Sequence, residues 1–520
     1  MTSRNSVAVA LAILAICGDA RAQHASVTPS KMPRVGAVDE RFQSYNVEMV
    51  EVTGGRFWRP YRDLVAPAGG RSGAATANME AIQAALFQQR PPIDLHNSRL
   101  RKLAAALGPA YVRVSGTWAN NTYFHDAAQP APASPPQGFG GVLTRDQWKS
   151  VVEFARETDA RLVTSFAISP STRDAAGKWT PDQARKLLDY TESLGVSIAA
   201  AEFMNEPTFA DQGSAPAGYD AAAFARDLAV FVPWLRQASP RTLLLGPGGV
   251  GEGISIVPAG MALHLLPSED LLKATGPVFD AFSYHSYAQV SRRCAGAGTP
   301  QTALLPESLA RTDRIEQFYA GLRDRFLPGK PIWLTETADA ACGGNPWDST
   351  FLDSFRYLDQ LGRLARFGVQ VNMHNTLASS DYGLLDDDTY LPRPNYWAAL
   401  LWRHFMGATV LDPGITTPPA VRLYAHCLRD EPGGVALLAI NTDRAATYEI
   451  NFPAAAERYT LSAGQLEDRA VQLNGAELKL ADNDALPALT ALATAPGRIT
   501  FAPGTITFVT VANAGNSACR

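Results

Sequence analysis

Two glutamates occupy positions where a carboxylate can do chemistry. Glu206 lies in Asn205-Glu206-Pro207, directly after the apolar run IAAAEFM, and Glu336 lies in Thr335-Glu336-Thr337, directly after PIWL. Both runs read as β-strands, so both carboxylates fall at strand carboxyl ends. Hydrolysis of a glycosidic bond needs two such groups, one to hand a proton to the departing oxygen and one to attack or stabilise the anomeric carbon. A single glutamate at a strand end is as well explained by capping the next helix; a second at a corresponding end favours the paired chemistry. Phe282-Ser283-Tyr284-His285-Ser286-Tyr287 brings an imidazole and a phenol to another strand end. There Tyr287 can hydrogen-bond the nucleophile, although aromatics at strand ends also simply pack. Arg113, in the run 111–115, faces inward if alternation holds. It would then stabilise negative charge on Glu336, or else close a structural salt bridge in the core.

Other chemistries find little support. The eight histidines form no HExxH and no paired ligand spacing, so no metal is expected. GPGGVG at 246–251 matches a dinucleotide fingerprint, but Pro and Gly continue where a helix must begin, and no cofactor is expected. There is no GxSxG elbow and no cysteine with a clear histidine partner.

The elements that must position these residues repeat. Strand candidates over 43–49, 110–115, 161–166, 197–203, 242–245, 279–284, 331–334 and 369–372 alternate with helix-like stretches over 97–107, 144–157, 180–194, 220–237, 306–325 and 349–367. Eight such units over ~350 residues fit an α/β fold, a (β/α)8 TIM barrel, better than an open doubly wound sheet. Glu206 and Glu336 then follow the fourth and seventh strands and face each other across one mouth. A Pro-, Ala- and Gly-rich tract over 127–141 reads as a surface excursion, and a last helix covers 396–405. From Val421 onward, short alternating runs (VRLYAHC, VALLAIN, TYEINF, TITFVTVAN) predict a C-terminal antiparallel β-sandwich. The expected division is a signal peptide over 1–22, a catalytic barrel over 41–400, and a β domain from 23–40 and 401–520.

The leader carries Arg4, an apolar run over 7–16 and Ala-Arg-Ala ending at Ala22, which predicts export to a periplasm or the extracellular space. Cys17 follows the bulky Ile16, which disfavours a lipoprotein. No later run approaches the ~20 apolar residues of a membrane helix. A net charge of −4 disfavours nucleic acid, so an acidic substrate must be met by a local patch such as Arg292-Arg293. Four cysteines remain after the leader, at 294, 342, 427 and 519. An even count in an exported chain suggests two disulfides, with three pairings open.

These features together resemble glycoside hydrolase family 79, the group of heparanase, plant heparanase-like β-glucuronidases and bacterial β-glucuronidases. The likeness is carried by 107–117, by Asn205-Glu206-Pro207, by Thr335-Glu336-Thr337 with Gly343-Gly344, and by 357–362, 382–385, 394–397 and 426–427 in the same order. It implies a retaining mechanism, Glu206 as acid/base, Glu336 as nucleophile, and a substrate bearing a β-linked uronic acid whose carboxylate is held by Tyr382 and the backbone at Gly343. It also implies pairing of Cys427 with Cys519, which leaves Cys294 for Cys342. Cys342 stands where heparanase has another glycine, and His374 and Ser380 also depart from the animal enzyme. No long excisable insert separates the first strand from its helix, and the last third resembles the plant exo-enzymes at least as well. An exo-acting β-glucuronidase is therefore expected, with an endo-acting, heparanase-like enzyme on glycosaminoglycan chains as the alternative.

Overall fold

A computed structural model describes residues 25–64, 86–254 and 265–520; the expected leader over 1–22, with Cys17, lies outside them. Eight parallel strands close a barrel in chain order: β1 (Gln43–Glu48), β2 (Ala110–Ser115), β3 (Ala160–Ser165), β4 (Ala200–Glu202), β5 (Leu243–Gly249), β6 (Ala281–Val290), β7 (Ile332–Ala341) and β8 (Val371–His374), which pairs back onto β1. A helix follows each: α1 (Ser98–Ala106), α2 (Arg145–Glu157), α3 (Asp182–Ser193), α4 (Ala221–Ala238), α5 (Ser268–Thr275), α6 (Arg311–Phe326), α7 (Phe351–Phe367) and α8 (Pro394–Phe405). Local chemistry sets their starts. Asn97 accepts from the backbone N–H of Arg99 and Leu100, Thr144 forms a capping box with Gln147, and Asp220 accepts from Ala223 N–H.

Alternation decides what enters the barrel. Tyr111, Val163, Ala200, Leu245, Ala281, Trp333 and Val371 form a layer inside it, while Val112, Leu162, Ala201, Leu244, Phe282 and Leu334 face the helices. Two residues further along β2, β4, β6 and β7 the interior becomes polar, with Arg113, Glu202, Ser283 and Thr335. The apolar layer is thus the floor on which the site stands.

β9 (Met406–Leu411) leaves α8 without a break and opens the antiparallel region, with β10 (Val421–Leu428), β11 (Val435–Asn441), β12 (Tyr448–Phe452), β13 (Ala456–Ser462), β14 (Gly497–Phe501) and β15 (Thr505–Val511). Two sheets pack face to face. Arg34–Ala37, β9, β10, β11, β15 and β13 neighbour one another in the larger, and Ala25–Ser26, β12 and β14 form the smaller. β11 is buried on both faces: Val435, Leu437 and Ala439 meet Ile450, Phe452, Ile499 and Phe501 of the small sheet, while Ala436, Leu438 and Ile440 join the barrel-side core. The Tyr424 hydroxyl on β10 donates to Asp359 of α7 at 2.6 Å, tying sandwich to barrel.

Some boundaries differ from expectation. β6 and β7 run on past 284 and 334, paired with each other as far as Val290 and Ala341. Their polar extensions are satisfied by hydrogen bonds in the mouth, so no apolar alternation announces them. Of the expected 197–203 only Ala200–Glu202 is strand, and the helix expected over 306–325 divides into Pro306–Leu309 and α6. In GPGGVG the residues through Gly249 continue β5, and no helix starts there.

Candidate active site

The base of the site is one buried guanidinium. Arg113 Nε and Nη2 donate to Glu202 Oε2 at 2.9 and 2.8 Å, Nη1 donates to Glu336 Oε2 at 2.9 Å, and Nη2 also reaches Asn205 Oδ1 at 2.7 Å. Arg113 thus contacts Glu336 and also closes a buried salt bridge with Glu202. Serving Glu202, Glu336 and Asn205 together requires the planar fork of arginine, which a lysine lacks. Burial opposes ionisation of Glu202, but Arg113 and then His285 outweigh it and hold its carboxyl below the usual range.

Above this base stand the two glutamates. Glu206 has φ 48°, in the left-handed region, which costs a non-glycine residue about 1–2 kcal/mol. Asn120 clamps the residue before it, accepting from Asn205 N–H at 2.8 Å and donating to its carbonyl at 3.0 Å. His285 Nε2 lies 3.2 Å from Arg113 Nη2, whose two N–H protons already face Glu202 and Asn205. The His285 Nδ1 lies within hydrogen-bond distance of Glu206 Oε1, at 3.0 Å. Burial, reinforced by the charge of Glu336, raises the Glu206 pKa against the opposing bond from His285. The Tyr287 hydroxyl donates to Glu336 Oε1 at 2.5 Å. A carboxylate oxygen of Glu206 and one of Glu336 lie within 4.8 Å of each other.

The loop after β7 carries Gly343 and Gly344, at φ 77° and 84°. A Cβ on Gly343 would stand 2.6 Å from the Trp58 ring. Trp58 belongs to a hairpin, Gly55–Trp58 paired with Phe87–Arg90, and stacks on Phe87 at 4.4 Å between centroids. Arg62, on the connection between these strands, reaches Asp386, Asp387 and Asp388 at 3.0, 2.7 and 2.6 Å, and Arg90 also pairs with Asp387, so the arm is fastened to the loop after β8. Tyr382 lies buried beside Tyr287 and Ala338. Disulfides join Cys294 to Cys342 and Cys427 to Cys519, as the family resemblance implies.

Three residues at this mouth escaped the sequence reading. Glu202 ends β4 but lies inside the longer run expected over 197–203, with no motif around it. Glu48 ends β1, and Asn375 follows β8; both obey the strand-end rule that singled out Glu206. Glu48 Oε1 accepts from Asn375 Nδ2 at 3.1 Å, and Gly116 alone leaves room for its Oε2, since a Cβ there would stand 1.5 Å away. Burial, then the charge of Glu336, push Glu48 well above the carboxylate range. Arg293, by contrast, is not a free cation: it donates to Asp381 Oδ2 at 2.6 Å and lies 4.1 Å over the Tyr61 ring. Arg292 remains exposed.

Among the described residues three groupings bring ligand-type atoms together: Glu206 with His285 and Glu336, Asp339 with Asp348 and Asp353, and Asp386 with Asp387 and Asp388. Each already has guanidinium countercharge, from Arg113, Arg356, and Arg62 with Arg90. A cavity of about 1070 Å³ lies beside the mouth, walled by Gln289, Arg311, Asp339 and Arg356 among others; neither catalytic candidate lines it.

Two glutamates meeting over the mouth of a parallel barrel define the class, a glycoside hydrolase. Residues 89–362 match the glycosyl hydrolase family 79, N-terminal domain, and the chain belongs to that family. It is 30% identical to heparanase of Gallus gallus over 396 residues, 73% of each chain. It is 27% identical to hyaluronoglucuronidase of Hirudo nipponia, over 85% of this chain and 95% of that one. With heparanase-like protein 1 of Arabidopsis thaliana it shares 28% identity, over 69% of this chain and 66% of the plant protein. Among solved structures, the fold is shared with a 4-O-α-L-rhamnosyl-β-D-glucuronidase of Fusarium oxysporum 12S (TM-score 0.60, 14% identity, covering 94% and 99% of the two chains). It is shared too with a family 51 α-L-arabinofuranosidase of Thermotoga petrophila RKU-1 (TM-score 0.63, 13% identity, 94% and 99%). The substrate is accordingly a carbohydrate.

Proposed function

We propose that this protein hydrolyses β-D-glucuronides with retention of configuration, Glu206 serving as acid/base and Glu336 as nucleophile. The observation that carries the retaining assignment is the close approach of the two carboxylates, whose nearest oxygens lie within 4.8 Å. Retaining pairs are separated by ~5–5.5 Å, whereas inverting pairs leave ~6.5–9.5 Å for a water. Glu206 protonates the departing oxygen as Glu336 attacks the anomeric carbon and the glycosidic bond breaks. Glu206, now ionised, then takes a proton from a water, which attacks the same carbon and releases Glu336. His285 holds Oε1 of Glu206 and so directs the acid proton to Oε2. Arg113 and Tyr287 each bond one oxygen of Glu336, orienting the carboxylate for attack.

The uronic acid reading rests on Tyr382 and the Gly343-Gly344 loop, and on the glucuronidase and heparanase names among the relatives. Neutral donors suffice to hold a sugar carboxylate, because an anionic acceptor strengthens each bond. The Trp58 hairpin, fastened over the glycine loop, favours an enzyme that takes a chain end or a small glycoside over one that straddles a polymer. The heparanase relatives favour the endo-acting alternative, which needs an open cleft with basic residues on both sides; Arg293 is already committed to Asp381. Two disulfides suit an exported chain.

The test compares initial rates on an aryl β-D-glucuronide and the matching β-D-glucoside, with Glu336→Ala as blank. A glucuronide preference of about a hundredfold is expected, since losing a charge-assisted contact costs on the order of 3 kcal/mol. Preference for the glucoside would overturn the uronic acid reading, and activity on neither would favour the endo-acting enzyme.

A further inference from the structure

Asn375 is buried just beyond β8, where three elements of the site converge. Its amide nitrogen lies 3.1 Å from Glu48 Oε1, 3.1 Å from the Tyr287 hydroxyl and 3.2 Å from the Tyr382 hydroxyl. Among the described residues, no hydrogen-bond partner meets its Oδ1. Two N–H protons thus serve three oxygens. An amide nitrogen donates and cannot accept, so a phenol oxygen engaged by Asn375 receives a proton there and must send its own elsewhere. For Tyr287 the destination is Glu336 Oε1, at 2.5 Å. For Tyr382 it is whatever acceptor enters the mouth.

We propose that Asn375 is a positioning residue that sets the direction of both phenolic protons, sending one to the nucleophile and the other to the carboxylate of the substrate. The inference rests on the reading of Glu336 as nucleophile and Tyr382 as a uronate contact. Its physical basis is that a phenol proton rotates about the C–O bond and settles on the best acceptor nearby. All three oxygens lie within 3.2 Å of one nitrogen, so a Glu48 oxygen belongs to the same cluster as both phenols. By sharing two N–H protons among Glu48 and the two phenol oxygens, Asn375 occupies the lone pairs through which competition for the phenolic protons would run. The nucleophile and the uronate contact are thereby set by one side chain, although Glu336 lies on β7 and Tyr382 on the loop after β8.

Asn375→Asp keeps the shape of the side chain and reverses its polarity, whereas Asn375→Ala removes both. A merely structural role makes the isosteric Asp the milder change. Proton direction makes it the harsher one, because a carboxylate captures both phenolic protons. On the aryl β-D-glucuronide, with the full-length protein, Asn375→Asp is expected to lower kcat at least tenfold and raise KM at least tenfold, with smaller effects for Ala. In a Tyr287→Phe background the kcat effect should vanish; in a Tyr382→Phe background the KM effect should vanish. Unfolding or general loosening would not show that split. Should the Asp variant fail to fold, the same two cycles run with Ala carry the test. The proposal is overturned if Ala is more damaging than Asp, if both stay within twofold of wild type, or if the losses persist in the tyrosine backgrounds. The wild-type glucuronide-to-glucoside ratio is measured first: a wild type without that preference overturns the uronate reading itself and with it the Tyr382 half, and kcat in the Tyr287 cycle then judges the other half.

Discussion

As the proposed acid, Glu206 must keep its proton until a leaving oxygen arrives, and its burial beside Glu336 sets how far up the pH scale it can do so. A raised pKa leaves the acid form populated above the ordinary glutamic acid range, near 4.3, and lost only as pH climbs through the elevated value. On a glucuronide with a poor leaving group, the alkaline limb of kcat/KM is accordingly expected above that range and should disappear in Glu206→Gln. A limb at or below pH ~4.3 would contradict the acid role. The two carboxylates should also fail differently. Glu336→Ala abolishes turnover on every substrate, whereas Glu206→Ala spares glycosylation from good leaving groups, and added azide speeds its deglycosylation. Equal losses on both leaving-group types, with no azide effect, would overturn the assignment. Arg113→Lys supplies a third test. One ammonium cannot bond Glu202, Glu336 and Asn205 together, and breaking such a buried pair costs about 3–5 kcal/mol. Thermal melting should fall clearly and kcat with it; an unchanged melting temperature would mean that the guanidinium fork is dispensable. The glutamates were legible because each ends an apolar run inside a short motif. Glu202 and Asn375 were not, because their roles come from side chains that the barrel gathers from distant strands.

At the scale of elements, the loop after β7 carries the glycine turn proposed to approach the sugar. Cys342, Gly343 and Gly344 all have left-handed backbone, at φ 68°, 77° and 84°. Any residue but glycine pays about 1 kcal/mol there, but Gly343 carries a second constraint, the Trp58 ring 2.6 Å from where a Cβ would stand. Gly343→Ala is expected to push the hairpin and turn apart and raise KM for the glucuronide about tenfold, an order-of-magnitude figure for one displaced charge-assisted contact. Gly329→Ala is the matched control, since Gly329 has φ 77° with nothing within 4 Å of the added carbon. It should lose similar stability through backbone strain and leave KM alone. A KM change shared by both variants would show that the Trp58 contact is irrelevant to recognition. Strand alternation made the barrel readable in sequence. The extensions of β6 and β7 were not, because His285, Tyr287, Glu336 and Asp339 interrupt the apolar pattern where the strands become part of the site.

For the whole molecule the question is what the sandwich contributes to a reaction that takes place at the far ends of the barrel strands. β11 packs the small sheet on one face and the barrel-side core on the other, a two-sided burial that the apolar string VALLAIN permits but does not by itself distinguish from a buried helix segment. The Cys427–Cys519 disulfide closes a loop of 92 residues within the sandwich, and Cys294–Cys342 closes one of 48 beside the glycine turn. Each constrains the unfolded chain and should contribute about 2–4 kcal/mol. Their kinetic consequences should differ, because only the second borders the residues proposed to hold the uronate. Ser291 Oγ donates to the Gly344 carbonyl at 2.5 Å, and Arg292 N–H donates to Asn345 Oδ1 at 3.0 Å, so Cys294–Cys342 adds the covalent member to a set of ties between the two loops. Replacing Cys427 and Cys519 with alanine should lower the melting temperature and leave kcat and KM within about twofold, well inside the tenfold that 1.4 kcal/mol represents. Replacing Cys294 and Cys342 should lower the melting temperature and also raise KM for the glucuronide more than for the glucoside. If both pairs of substitutions moved KM equally, the sandwich would have to be coupled to the site through α7 and the Tyr424–Asp359 bond; if neither did, the glycine turn would be held by its hydrogen bonds alone.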